Sequence, residues 1–191
     1  MSIGDVRLQR ATVSGLPGVY VIYREIPDPV EFLDKSTGGW FKGRNPSVPI
    51  ETLEAAWVHD AHVLYVGKAD AGQSGRRGIR ARFDEYLRFG MGQPTGHWGG
   101  RYVWQLAGTD ELMICFKPCT DPRDEETRLL GLFRAEHGSL PFAIYVPDLS
   151  GHEDIPHKIR IPHEFVRYGR IVSYPPTHAA NLSFTDSFSV T

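Results

Sequence analysis

The chain has 191 residues, 41% of them hydrophobic, and a formal net charge of −2, which suits one domain with its own core and excludes nucleic-acid binding by overall positive charge. No apolar run approaches the roughly 20 residues that cross a bilayer, and the opening MSIGDVRLQR lacks the apolar stretch of a secretory signal, so a cytoplasmic location away from membranes is expected. The two cysteines, Cys115 and Cys119, exclude a disulfide framework and fit a reducing compartment.

Residues 18–24 (GVYVIYR) are rich in β-branched and aromatic side chains and read as a strand. Residues 25–60 carry many prolines and glycines and read mostly as loop, with a short helix over 49–59 (PIETLEAAWVH). A second strand is expected over 62–68 (HVLYVGK), with Tyr65 and Gly67 on one face and Leu64, Val66 and Lys68 on the other. A glycine-rich loop over 69–78 leads into a helix over 79–89 (IRARFDEYLRF), whose apolar stripe is Ile79, Phe83 and Leu87. After a loop over 90–100, residues 101–107 (RYVWQLA) and 112–118 (LMICFKP) read as two strands joined by the turn GTDE. The next helix starts at Asp121 as N-cap with Pro122 in its first position, and ends at His137 and Gly138. A last strand is expected over 164–174, followed by a polar end. This order predicts an α+β chain, an α/β sandwich around one small central sheet, mixed or antiparallel, flanked by helices.

Three sets of residues can carry chemistry. Tyr20 and Tyr65 lie on strands that can be neighbours, and a phenol with a pKa of about 10 becomes a base only where cations lower that value. Arg82 and Tyr86 are spaced i, i+4 on one helix face at the edge of the apolar stripe. An arginine there either grips a phosphate or covers the core. Glu126 occupies the apolar stripe of its helix with Leu129, Leu130 and Phe133. A carboxylate in that place either binds a metal such as Mg²⁺ or sits half exposed near the helix N-terminus. The stretch from Gly67 to Arg101 holds seven basic residues, including Arg76, Arg77 and Arg80, against three acidic ones. It is either a phosphate-facing surface or a solvated one. His97 and Arg101 lie in and beside the loop GHWGG, where stacking on an unpaired base is possible. Gly67-Lys68 is not a Walker A loop, because Ala69 follows the lysine.

Taken in order, Gly18-Val19-Tyr20, Tyr65-Val66-Gly67-Lys68-Ala69, Ile79-Arg80-Ala81-Arg82-Phe83 with Tyr86, and Glu126 before Leu129-Leu130 resemble the motifs of the GIY-YIG nuclease superfamily. The resemblance covers about residues 15–145. The stretches STGGWFKG and GHWGGRYVWQL also resemble an uncharacterised bacterial group within it. It implies a divalent-metal-dependent endonuclease acting on DNA, with Mg²⁺ or Mn²⁺ held by Glu126. In that scheme Tyr65 is the general base or orients the attacking water, and Tyr20 supports it. Arg82 neutralises the scissile phosphate, Tyr86 lies near the nucleophile, and Lys68 helps lower the Tyr65 pKa. Arg76, Arg77, Arg80, His97 and Arg101 are the expected DNA contacts. The resemblance further implies a nuclease domain over 1–149 with an insertion at 24–60, serving as a DNA-contacting lid or a docking site. Residues 150–191 form an extension packed on it. The chain departs from the family at Ile144, where an asparagine is usual.

Overall fold

The structure is a computed structural model that describes residues 1–26, 29–72, 75 and 77–144. Three strands, β1 (Gly18–Tyr23), β2 (Val63–Ala69) and β3 (Met113–Pro118), form an antiparallel sheet in the order β2-β1-β3. β1 is central and buried on both faces, which is why its sequence is a continuous apolar run without alternation. The β1–β2 register sets Tyr20 opposite Gly67 and Ile22 opposite Tyr65.

Among the described residues, four α-helices accompany the sheet: α1 (Ile3–Leu8), α2 (Ile50–Ala56), α3 (Ile79–Gly90) and α4 (Pro122–His137). Both α3 and α4 pack against β1 and β2. Tyr20 and Ile22 share a hydrophobic cluster with Ile79, Phe83, Tyr86 and Leu87 of α3. Val19 and Val21 are equally buried but lie outside that cluster. They alternate with Tyr20 and Ile22 along the strand, so α4 covers the opposite face through Leu129, Leu130 and Phe133. Each such side chain, fully buried, contributes roughly 1.5–3 kcal/mol. The fold is therefore α+β, a small antiparallel sheet between helices.

The caps of α4 are those its sequence announces. The Asp121 side chain accepts from the Asp124 N–H at 3.1 Å, and Gly138 closes the helix at φ 73°, a left-handed conformation natural to glycine. α1 has an equally local signal that the expectations above omit. Ser2 and Asp5 form a reciprocal capping box, and Ile3 and Val6 are buried.

Residues 101–107 do not form a strand. A 3-10 helical run, Trp98–Gln105, stands in their place, and the turn after it is a single 3-10 turn, Thr109–Glu111. Two facts explain the difference. The free edge of β3 is occupied by the N-terminus, where Ile114 N donates to Met1 O at 2.9 Å and Ile3 N donates to Leu112 O at 2.7 Å. Consecutive residues Tyr102, Val103, Trp104 and Gln105 are also all buried, so they meet neighbours on every side. A composition rich in aromatic and branched residues satisfies either demand.

Residues 33–48, within the segment expected as an insertion, are sewn to this run. Leu33 N donates to Gln105 O and Thr37 N to Trp104 O, both at 2.9 Å. The buried Gln105 amide donates to Leu33 O and Val48 O and accepts from Val48 N. Every polar atom of that side chain is thereby satisfied inside the core, as a buried amide requires. The extension at 150–191 and the strand expected over 164–174 lie outside the described residues. Among the described residues, no helix is long and apolar enough to cross a membrane.

Candidate active site

β2, α3 and α4 converge on a cleft of about 380 Å³ lined by Tyr65, Lys68, Arg82 and Glu126, together with Asp70 and Arg77. Four of the residues singled out by their position in sequence are thus neighbours in space.

Tyr65 is almost wholly buried. Burial pushes its hydroxyl up to about 12, against the opposing pull of Arg82, while Glu126 adds to the rise and the Tyr20 hydroxyl lowers it. The phenol is therefore neutral in the protein by itself. The charges that act on it come from Arg82 and Glu126, and not from Lys68 as expected. The Lys68 ammonium instead faces Glu126, with Nζ 4.0 Å from Oε2.

Tyr20 is entirely buried behind Tyr65, with ring centroids 5.9 Å apart. Its hydroxyl lies 2.8 Å from Nε2 of His97. Gly67 makes this approach possible. A Cβ there would lie 2.6 Å from Tyr20 Cζ, 2.7 Å from its hydroxyl and 2.8 Å from Tyr65 Cε1. Gly67→Ala is expected to destabilise the fold by about 1–3 kcal/mol through overpacking. The midpoint of urea unfolding measures this, and an unchanged midpoint would mean that the phenols part freely.

Arg82 projects from α3 and donates from Nη1 to Glu85 Oε2 at 3.0 Å and to Gly96 O at 3.3 Å. Arg77 pairs with the same carboxylate. Glu85 thus gathers two guanidinium groups at the cleft, each able to reach a phosphate bidentately.

Glu126 is the less exposed of the two carboxylates that line the cleft. Burial raises its pKa to about 7; Lys68 and Arg82 oppose the rise, and Asp70 adds to it. Its neighbours therefore undercompensate its charge. A hard divalent cation would supply the missing compensation, and the partly buried Glu126 carboxylate could serve Mg²⁺ or Mn²⁺ as one oxygen ligand. Among the described residues, no cluster of three or more His, Cys, Asp or Glu side chains that could hold a metal ion is present.

The remaining expected contacts lie elsewhere. Tyr86 is fully buried, stacked on Tyr65 at 6.1 Å and packed on Trp104 at 4.8 Å, and it does not line the cleft. His97 is fully buried, so it cannot stack on a base as expected. Arg101 is also buried, its guanidinium 4.7 Å from the Trp98 ring and 4.8 Å from the Tyr102 ring. Arg101 lies in the 3-10 run and His97 is the residue that caps its start. Arg80 ties the N-terminal segment to α3, donating to Val13 O at 2.8 Å and Ala11 O at 3.1 Å. That leaves Arg77 as the expected DNA contact that borders the cleft; Arg76 lies outside the described residues. Asp70 and Glu85 were missed. The i, i+3 spacing of Arg82 and Glu85 was a signal available for the second.

Ile144 packs against the hydrophobic core, and its N–H donates to Pro141 O at 2.9 Å. It contributes apolar contact where the resemblance implies an amide. Comparison of the chain with protein-family models, with curated proteins and with solved structures returns no match.

Proposed function

We propose that the chain is a GIY-YIG-type endonuclease that hydrolyses DNA phosphodiester bonds with the help of Mg²⁺ or Mn²⁺. The observation that carries this reading is the convergence of Tyr65, Arg82 and Glu126, from β2, α3 and α4, on one cleft. Phosphodiester hydrolysis needs a group to position and deprotonate water, a cation at the phosphate and a Lewis acid at the leaving oxygen.

In this reading the Arg82 guanidinium binds the non-bridging oxygens of the scissile phosphate, and Arg77 grips a neighbouring phosphate. Both exchange part of their hold on Glu85 for the substrate. The Tyr65 oxygen accepts a hydrogen bond from the attacking water and aligns it with phosphorus. Tyr20 fixes Tyr65 from behind. Glu126 would hold the divalent ion, which supplies charge stabilisation at the departing 3′ oxygen. Lys68 keeps the Glu126 carboxylate turned toward the cleft. The reading places the chain in the cytoplasm, in accord with its two free cysteines.

A single cleft cuts one strand at a time, so supercoiled plasmid is expected to pass to nicked circles before linear DNA in Mg²⁺ or Mn²⁺. Tyr65→Phe should slow this step by about 10²-fold or more, the usual contribution of a positioned acid–base group. Metal-dependent nicking retained by Tyr65→Phe would exclude Tyr65 from the chemistry.

A second reading is a DNA-binding module of the same fold that no longer cleaves. It is favoured by Ile144, whose side chain packs, partly buried, against the core and offers no polar group. Under it, wild type binds duplex DNA with an affinity that falls steeply with salt and leaves the plasmid intact.

A further inference from the structure

We propose that residues 40–44, a turn that opens with Trp40, extend the cleft into a binding surface for DNA with an unpaired base, on which the Trp40 indole stacks. The inference rests on the nuclease reading above, from which it takes DNA as the partner, and it narrows the substrate class.

Trp40 is 59% exposed, although an aromatic side chain of its size contributes most when covered. Its neighbour Phe41 pairs with Arg44, whose N–H donates to Phe41 O at 3.1 Å. The chain thereby closes over Lys42 and Gly43, at φ 52° and 72°. A lysine is strained in that left-handed conformation and keeps it only where the surrounding chain imposes it. Lys42, Gly43 and Arg44 are all exposed.

The turn is anchored beside the cleft. Gly39 N donates to Phe89 O at 2.8 Å. A Cβ on Gly39 would lie 2.0 Å from the Gln93 carbonyl oxygen, and the Gln93 side chain accepts from Arg88 Nε at 2.8 Å. Phe41 reaches Gly96, where a Cβ would lie 3.3 Å from the Phe41 Cζ. The Gly96 carbonyl also accepts from Arg82 Nη1, at 3.3 Å. Gly96 is therefore the one residue between the turn and the arginine assigned to the scissile phosphate, and it is itself exposed.

Charge and shape together choose the occupant. Residues 35–50 hold three basic side chains, Lys35, Lys42 and Arg44, and no acidic one. The exposed Arg88 adds a further cation at the Gln93 corner. A polyanion suits such a surface, and its continuity with Arg82 favours a nucleic acid over an acidic protein. Duplex DNA offers phosphates but hides its base faces in the stack. An indole finds a base face to stack on only where pairing is broken.

Fluorescence anisotropy without metal, on a labelled single-stranded oligonucleotide and on the same sequence as full duplex, tests the surface. Trp40→Ala should lower affinity for the single strand by about 10-fold and for the duplex by much less, with the unfolding midpoint unchanged. Trp40→Phe keeps a ring and should recover most of the loss. Lys42→Gly should weaken binding to both DNAs alike and reduce the salt slope by about one. A Trp40→Ala variant that binds the single strand as wild type does, or that loses equally on both DNAs, overturns the stacking surface, and plasmid nicking by the wild type then still supports the nuclease reading. Selective loss of single-strand affinity in Trp40→Ala, with a wild type that does not nick, keeps the surface and removes the nuclease. A wild type that binds neither DNA removes both.

Discussion

Glu126→Gln is expected to stabilise the metal-free protein at pH 8 while abolishing the proposed nicking of DNA. Burial lifts the Glu126 carboxyl from 4.5 to about 7, so between those two values the folded state holds a proton that the unfolded chain has released. That contribution is complete below pH 4.5 and is lost as pH rises through about 7. The gap between the two values corresponds to roughly 3 kcal/mol of cost once the carboxylate is ionised in the folded protein. Its side chain is only 19% exposed, so little of that cost is screened. Glutamine keeps the size and polarity and carries no charge. Urea unfolding should therefore favour the variant by up to about 3 kcal/mol at pH 8, and the two proteins should converge below pH 4.5. Equal stability at both pH values would mean that the carboxylate is compensated without a metal, and the cation site would lose its rationale. The same buried charge gives the proposed ion its affinity, so stability and activity are expected to move in opposite directions at this residue.

Arg82→Ala should lower the nicking rate by about 10²–10³-fold, the scale on which one preorganised charge stabiliser acts. Arg82→Lys should recover little, because an ammonium cannot span two phosphate oxygens as a guanidinium does. The fold should survive either change. Arg82 is held by Glu85 and the Gly96 carbonyl, and Glu85 keeps Arg77 as a partner. Circular dichroism and single-turnover nicking read the two effects separately. Nicking by Arg82→Ala at the wild-type rate would remove the arginine from the phosphate site and move attention to Arg77.

Each of these residues was visible in the sequence before its neighbours were. Glu126 stood out because a carboxylate shared an apolar stripe with Leu129, Leu130 and Phe133, a conflict between burial and charge that a helical period exposes. Arg82 stood out by its place at the edge of the α3 stripe. The charges around them were not readable in the same way. Glu85 clamps Arg82 and Arg77, and Asp70 acts on Glu126, because loop and helix fold toward one point. The expected role of Lys68 failed for the same reason. Sequence places it three residues after Tyr65, but the end of β2 turns its ammonium to α4.

The strands β1, β2 and β3, the helices α3 and α4 and the caps of α4 were determined by the sequence itself, because branched runs, apolar periodicity, Asp121-Pro122 and Gly138 act over a few residues. Ser2 and Asp5 determined α1 just as locally. The Trp98–Gln105 run was decided by the tertiary structure. Its residues suit a strand, but the N-terminus already holds the edge of β3, and Gln105 must satisfy three backbone groups of Leu33 and Val48. With that run in place, the expected DNA contacts His97 and Arg101 are buried, and His97 lies against Tyr20. Local pattern fixes which face of an element is apolar; only the packed chain decides which polar group is trapped beside it and which hydrogen bonds it must make.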